Sequence, residues 1–68
     1  MTMTPVVSTN VERVGYDEVA QILRVEFRSG GIYDYHGVAR WLFDEMLSPY
    51  PWRRVGRIVM AHRCYRIG

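Results

Sequence analysis

From Ile22 to Arg28, apolar and charged positions alternate, with Leu23, Val25 and Phe27 on one side and Arg24, Glu26 and Arg28 on the other. A period of two describes a strand with one apolar face and one wet face. Ile32 to His36 forms a second such run, in which Tyr33 and Tyr35 share a face and Ile32, Asp34 and His36 share the other. Ser29-Gly30-Gly31 between them supplies the positive φ of a tight hairpin. Upstream, the β-branched Val6, Val7, Val11 and Val14 predict a strand across Val6–Tyr16, interrupted near Ser8-Thr9-Asn10. Gly15-Tyr16-Asp17-Glu18 reads as the turn that follows it. Residues 1–5 are expected as a flexible tail, leaving one domain over residues 6–68.

After Gly37 the period changes. Val38, Trp41, Leu42 and Met46, flanked by Phe43 and Leu47, recur at three- and four-residue spacing and predict an amphipathic helix from Val38 to Leu47. Pro49 and Pro51 end it. Pro51 can also open a second helix as its first residue, with Val55, Ile58 and Val59 inward and Arg53, Arg54 and Arg57 outward. Gly56 weakens that segment by about 1 kcal/mol relative to alanine. Cys64 to Ile67 predicts a short last strand. The fold class is therefore α+β: a three-stranded antiparallel meander, one or two short helices packed on one face, and a short C-terminal strand.

Length limits what such a domain can do. A chain of 68 residues has no room for two lobes around a cleft, and its core is small. Cys64 is the only cysteine, so no disulfide forms within the chain, and a single thiol suits a reducing compartment. No apolar run approaches the roughly 20 residues of a membrane span. The opening MTMTPVV lacks the basic and apolar regions of a signal peptide. The expectation is a small cytoplasmic domain, without a membrane partner, that self-association could stabilise.

Charge changes this picture more than size does. The net charge is only +2, yet all nine basic residues are arginine and their distribution is uneven. Residues 1–45 carry all seven acids and four arginines, whereas residues 46–68 carry Arg53, Arg54, Arg57, Arg63 and Arg66 with no acid. Guanidinium fits phosphate bidentately and stacks on aromatic faces, so this cluster suits an anionic partner. In the competing reading, these arginines pair with the acids of the first two thirds.

The order of motifs then becomes informative. Ser8-x-x-Val11-x-x-Val14-Gly15-Tyr16-Asp17 is followed by Leu23-x-Val25-x-Phe27-x-x-Gly30, by Tyr33-x-Tyr35-x-x-Val38, and finally by Ile58-x-x-x-His62-x-x-Tyr65-x-Ile67. This succession resembles the KTSC domain, a small module named for its occurrence at the C-terminus of some lysyl-tRNA synthetases and found also as short stand-alone proteins. The resemblance implies a binding module without catalytic residues, with nucleic acid as the partner that the synthetase context implies. Two departures stand out. Ala39 replaces the family's usual proline, and Ser48-Pro49-Tyr50-Pro51-Trp52 stands where the family shows a Ser-x-Gly-x-aromatic pattern.

Other chemistries find little support. His62-x-Cys64 is not a zinc spacing, and no second pair of ligands accompanies it. Cys64 with His62 lacks the pocket and oxyanion hole that a thiol nucleophile needs, and Cys64 is expected as a small buried or half-buried hydrophobe. Asp44 and Glu45 point different ways on a helix. No glycine-rich phosphate loop is present. Neither catalysis nor a cofactor is expected.

The best candidate is Tyr50-Pro51-Trp52-Arg53-Arg54-x-x-Arg57, where rings could stack on bases while arginines neutralise phosphate. Arg63 and Arg66 extend it along the chain, and Arg24, Arg28 and Tyr33 could extend it across the sheet. Against this, Trp52 and Trp41 suit a small core, and Tyr33 and Tyr35 suit the core or its rim. The favoured function is non-enzymatic binding of nucleic acid or a nucleotide. Two alternatives remain: a homo-oligomer that captures a small phosphorylated nucleotide at its interfaces, and a protein-interaction module for an acidic surface.

Overall fold

The computed structural model describes residues 1–68. Its elements in chain order are β1 (Thr4–Pro5), β2 (Val11–Asp17), β3 (Ile22–Phe27), β4 (Ile32–His36), α1 (Arg40–Met46), α2 (Pro51–Met60) and β5 (Cys64–Arg66). The strands form one antiparallel sheet in the order β1-β2-β3-β4-β5. Both helices lie between β4 and β5 in the chain and cover one face of the sheet.

The alternation read from the sequence decides which face that is. Val11, Val14, Leu23, Val25 and Tyr35 meet Val38, Leu42, Met46, Val55 and Val59 in a single core. Arg13, Arg24 and Glu26 lie on the other face, in register across β2 and β3. A bulge between Val11 and Arg13 keeps Val11 and Val14 on the same side although three positions separate them. At the hairpin, Gly30 takes a φ of 116°, and Phe27 and Gly31 close the turn through their backbones at 2.8 Å.

Several expectations need correcting. Thr4 and Pro5 are not part of a tail; they pair with Val14 and Arg13 as the edge strand β1. β2 runs on through Gly15 and Tyr16 to Asp17, and the turn falls one step later, where the Asp17 carboxylate accepts from the backbone N–H groups of Val19 and Ala20. Helix α1 is shorter than Val38–Leu47. Its buried residues are Leu42 and Met46, and Phe43 packs beside them. Trp41, one position before Leu42, therefore points about 100° away from the core and is 53% exposed. Ile58 is likewise turned out at 44% exposure, because α2 buries Pro51, Val55 and Val59 four residues apart and Ile58 falls to one side of that stripe. Cys64 is exposed rather than buried.

Gly56 is explained by what lies over it. The indole of Trp52, one turn earlier, rests against its backbone, and a Cβ at Gly56 would stand 2.8 Å from Cδ2 and 3.0 Å from Cγ of that ring. Alanine for glycine in an open helix normally gains about 1 kcal/mol. Here Gly56→Ala is expected to cost about 1–2 kcal/mol, the usual penalty of forcing an extra carbon into a packed contact. Urea melts followed by circular dichroism check the sign. A stabilised variant would show that the indole is free to leave Gly56.

Candidate anion-binding face

Helix α2 starts in an unusual way. Its N-cap residue, Tyr50, adopts φ 53° and ψ 53°, a left-handed conformation that glycine takes readily and a side chain takes at some cost. This is the position where the resemblance leads one to expect glycine. The Tyr50 N–H donates to the Val7 carbonyl at 2.7 Å, which fixes the bend. No side chain caps the helix, and its first turn holds no acid. Pro51 occupies the first helical position, so the open N–H groups belong to the residues after it.

Arg53 stands in that first turn with its guanidinium carbon 5.7 Å from the Tyr50 ring centre. A cation is disfavoured by the positive end of a helix, by about 0.3–1 kcal/mol, and Arg53 has no carboxylate to offset this. Arg57, one turn on, faces solvent on the same side of the helix. Beyond the helix end, where His62 Nδ1 lies 2.9 Å from the Ile58 carbonyl, come Arg63 and then Arg66 on β5. Arg66 lies over the Tyr33 ring at 5.8 Å and donates to the Gly68 carbonyl. None of Arg53, Arg57, Arg63 and Arg66 is in an ion pair.

Three arginines grouped with these in the sequence have other work. Arg24 makes a bidentate pair with Asp34 at 2.8 and 3.0 Å on the sheet face away from the helices. Hydrogen bonding to that carboxylate raises the Arg24 pKa further above its ordinary value. Arg28 pairs with Glu12 at 2.5 Å and donates to the Ser8 carbonyl. Arg54 turns toward α1, donating to the Glu45 carboxylate at 2.5 Å and to the backbone carbonyl of Glu45 at 2.7 Å. It thereby caps the C-terminal end of α1, so it is a fastening between the helices rather than a free charge. Trp52 is half-buried, edge-on to Phe27 with ring centres 5.1 Å apart, and Tyr33 is half-buried against the same Phe27 at 5.7 Å.

The acids account for the asymmetry. Glu12, Glu18, Glu26, Asp34, Asp44 and Glu45 are each paired with arginine, and Asp17 holds its own turn. Every free guanidinium therefore lies between residues 53 and 66. No cavity of ligand size indents the surface, and no helix is long and apolar enough to cross a membrane.

Residues 7–49 match the sequence profile of the KTSC domain. The chain belongs to the KTSC domain family. Its fold is similar to that of a KTSC domain protein from Yersinia pestis, with a TM-score of 0.87 and 28% identity over 98% of this chain and 97% of that one. A protein of Tsukamurella paurometabola is 41% identical over 46 residues, which are 68% of this chain and 69% of the relative. The profile match stops just short of α2, whereas the structural likeness runs through it. All four free arginines of this KTSC domain thus lie outside the profile-matched residues but inside the shared fold.

Proposed function

We propose that this KTSC domain is a non-catalytic binding module for a phosphate-bearing partner, nucleic acid ahead of a free nucleotide, held on the face formed by α2 and β5. The observation that carries this reading is the segregation of the four unpaired arginines within residues 53–66, on and just beyond α2, while every acid is occupied elsewhere. Two local features support it. The uncapped start of α2 adds backbone donors beside Arg53, and Tyr50 keeps a strained backbone where glycine would be relaxed, as expected when the ring itself is needed. A surface without a ligand-sized cavity favours an extended polymer over an enclosed mononucleotide.

Anisotropy of a labelled oligouridylate checks the proposal. If all four arginines neutralise phosphates, the logarithm of affinity falls against the logarithm of salt with a slope of about −3. The Arg53→Glu/Arg57→Glu variant is expected to lose at least about tenfold in affinity and to halve that slope roughly. Arg54 is left intact because it holds α1. Tyr50→Gly should raise the melting temperature slightly, by relieving the backbone, and still weaken binding. Affinity indifferent to both salt and the double substitution would overturn the reading.

A further inference from the structure

The two edges of the sheet differ. β1 is two residues long and contains Pro5, which has no N–H to offer, so that edge is closed. β5 forms the opposite edge and all three of its residues are exposed. The His36 N–H donates to the Arg63 carbonyl and the Ile67 N–H to the Ile32 carbonyl. By the alternation of an antiparallel ladder, the backbone groups of Arg63, Tyr65 and Ile67 turn toward β4, while those of Cys64 and Arg66 turn outward. The free edge thus presents two N–H and two C=O groups in strand geometry.

Its side chains specify what could pair there. Arg63 and Arg66 bracket the edge without an acidic partner, and no acid follows Glu45 in the chain. A second copy laid antiparallel along β5 would bring four such arginines together, and like charges across a ladder are unfavourable. On the face away from the helices, Tyr65 and Ile67 are about half exposed. On the helix face, Arg66 stands over Tyr33.

From this we infer that β5 is a docking edge for an extended acidic segment of a partner protein. That segment would add a sixth strand, placing carboxylates beside Arg66 on the helix face and apolar side chains beside Tyr65 and Ile67 on the other, while Arg63 adds positive charge at the end of the edge. The surface goes beyond the nucleic-acid reading and does not rest on it. It uses backbone groups that a nucleic acid would not pair, although both ligands would draw on Arg63 and Arg66.

A blocked octapeptide of alternating valine and glutamate is the probe, followed by amide chemical shifts and hydrogen exchange, with a valine–lysine peptide as control. The glutamate peptide should bind and slow exchange of the Cys64 and Arg66 amides at least about tenfold, the lysine peptide should not, and strand addition protects those amides and few others. Cys64→Pro removes one outward N–H, no charge and no bond to β4. It should abolish peptide binding, leave the melting temperature close to that of the parent, and leave oligouridylate affinity unchanged. Arg63→Glu/Arg66→Glu should reverse the preference between the peptides, which keeps the inference testable if the proline variant folds poorly. Peptide binding that survives Cys64→Pro in the folded protein, equal binding of both peptides, or a dimer that protects these amides without peptide would each overturn it.

Discussion

Trp52→Ala is expected to remove about 3 kcal/mol of stability, the lower end of the range for losing a buried aromatic side chain. The lower end applies because the indole is only half-buried. Three contacts set the size of the effect. The ring meets Phe27 edge-on at 5.1 Å, lies tilted against Tyr35 at 6.4 Å, and covers the backbone of Gly56. It is thus the side chain that seats α2 on β3 and β4, and the space it leaves is bordered by a helix backbone that cannot collapse into it. In a domain this size 1 kcal/mol shifts the melting temperature by about 4–8 °C, so a fall on the order of 12–24 °C should be seen by circular dichroism. A fall of only a few degrees would mean that the indole is a surface ring available to a ligand. Trp52→Phe should recover part of the loss.

That dual character of Trp52 marks where the sequence is legible and where it is not. The strands are written locally. Leu23, Val25 and Phe27 alternate with charged residues, and a period of two leaves little doubt about which face meets the helices. The start of α2 at Pro51 is equally local. Ion pairing is a different matter, because it depends on register and on how elements turn toward one another. Arg24 faces Asp34 only once β3 and β4 are aligned, and Arg54 reaches Glu45 only because the chain reverses between α1 and α2. Runs of arginine in sequence therefore overstate the candidate face by three residues. The tryptophans show the same limit. Trp41 and Trp52 both lie on short helices, but α1 already fills its inward stripe with Leu42 and Met46, whereas α2 leaves room beside Gly56. Tyr50, by contrast, is legible in the sequence. A bulky residue where a related pattern carries glycine is a local signal of a strained backbone.

Asp34→Ala is expected to cost about 2–3 kcal/mol, for a reason that does not involve the core. Asp34 is among the least exposed polar residues of the sheet, and its carboxylate accepts two hydrogen bonds from Arg24, directly across the ladder. Removing one member of a fully buried ion pair typically costs about 3–5 kcal/mol, because the other charge is left without a partner in a poorly solvated place. The side chain of Asp34 is 11% exposed but that of Arg24 is 33% exposed, so solvent recovers part of the loss and the expected value falls below that range. The penalty thus comes from stranding Arg24 and not from any large gain the pair provides. Replacing both residues makes the argument testable. Arg24→Met/Asp34→Leu puts apolar side chains of comparable length on a strand pair that tolerates them, and should restore at least half of what Asp34→Ala loses. Urea melts of the two variants decide the matter. If the double variant is as unstable as the single one, the pair contributes binding energy of its own, and Arg24–Asp34 is a true fastening of β3 to β4.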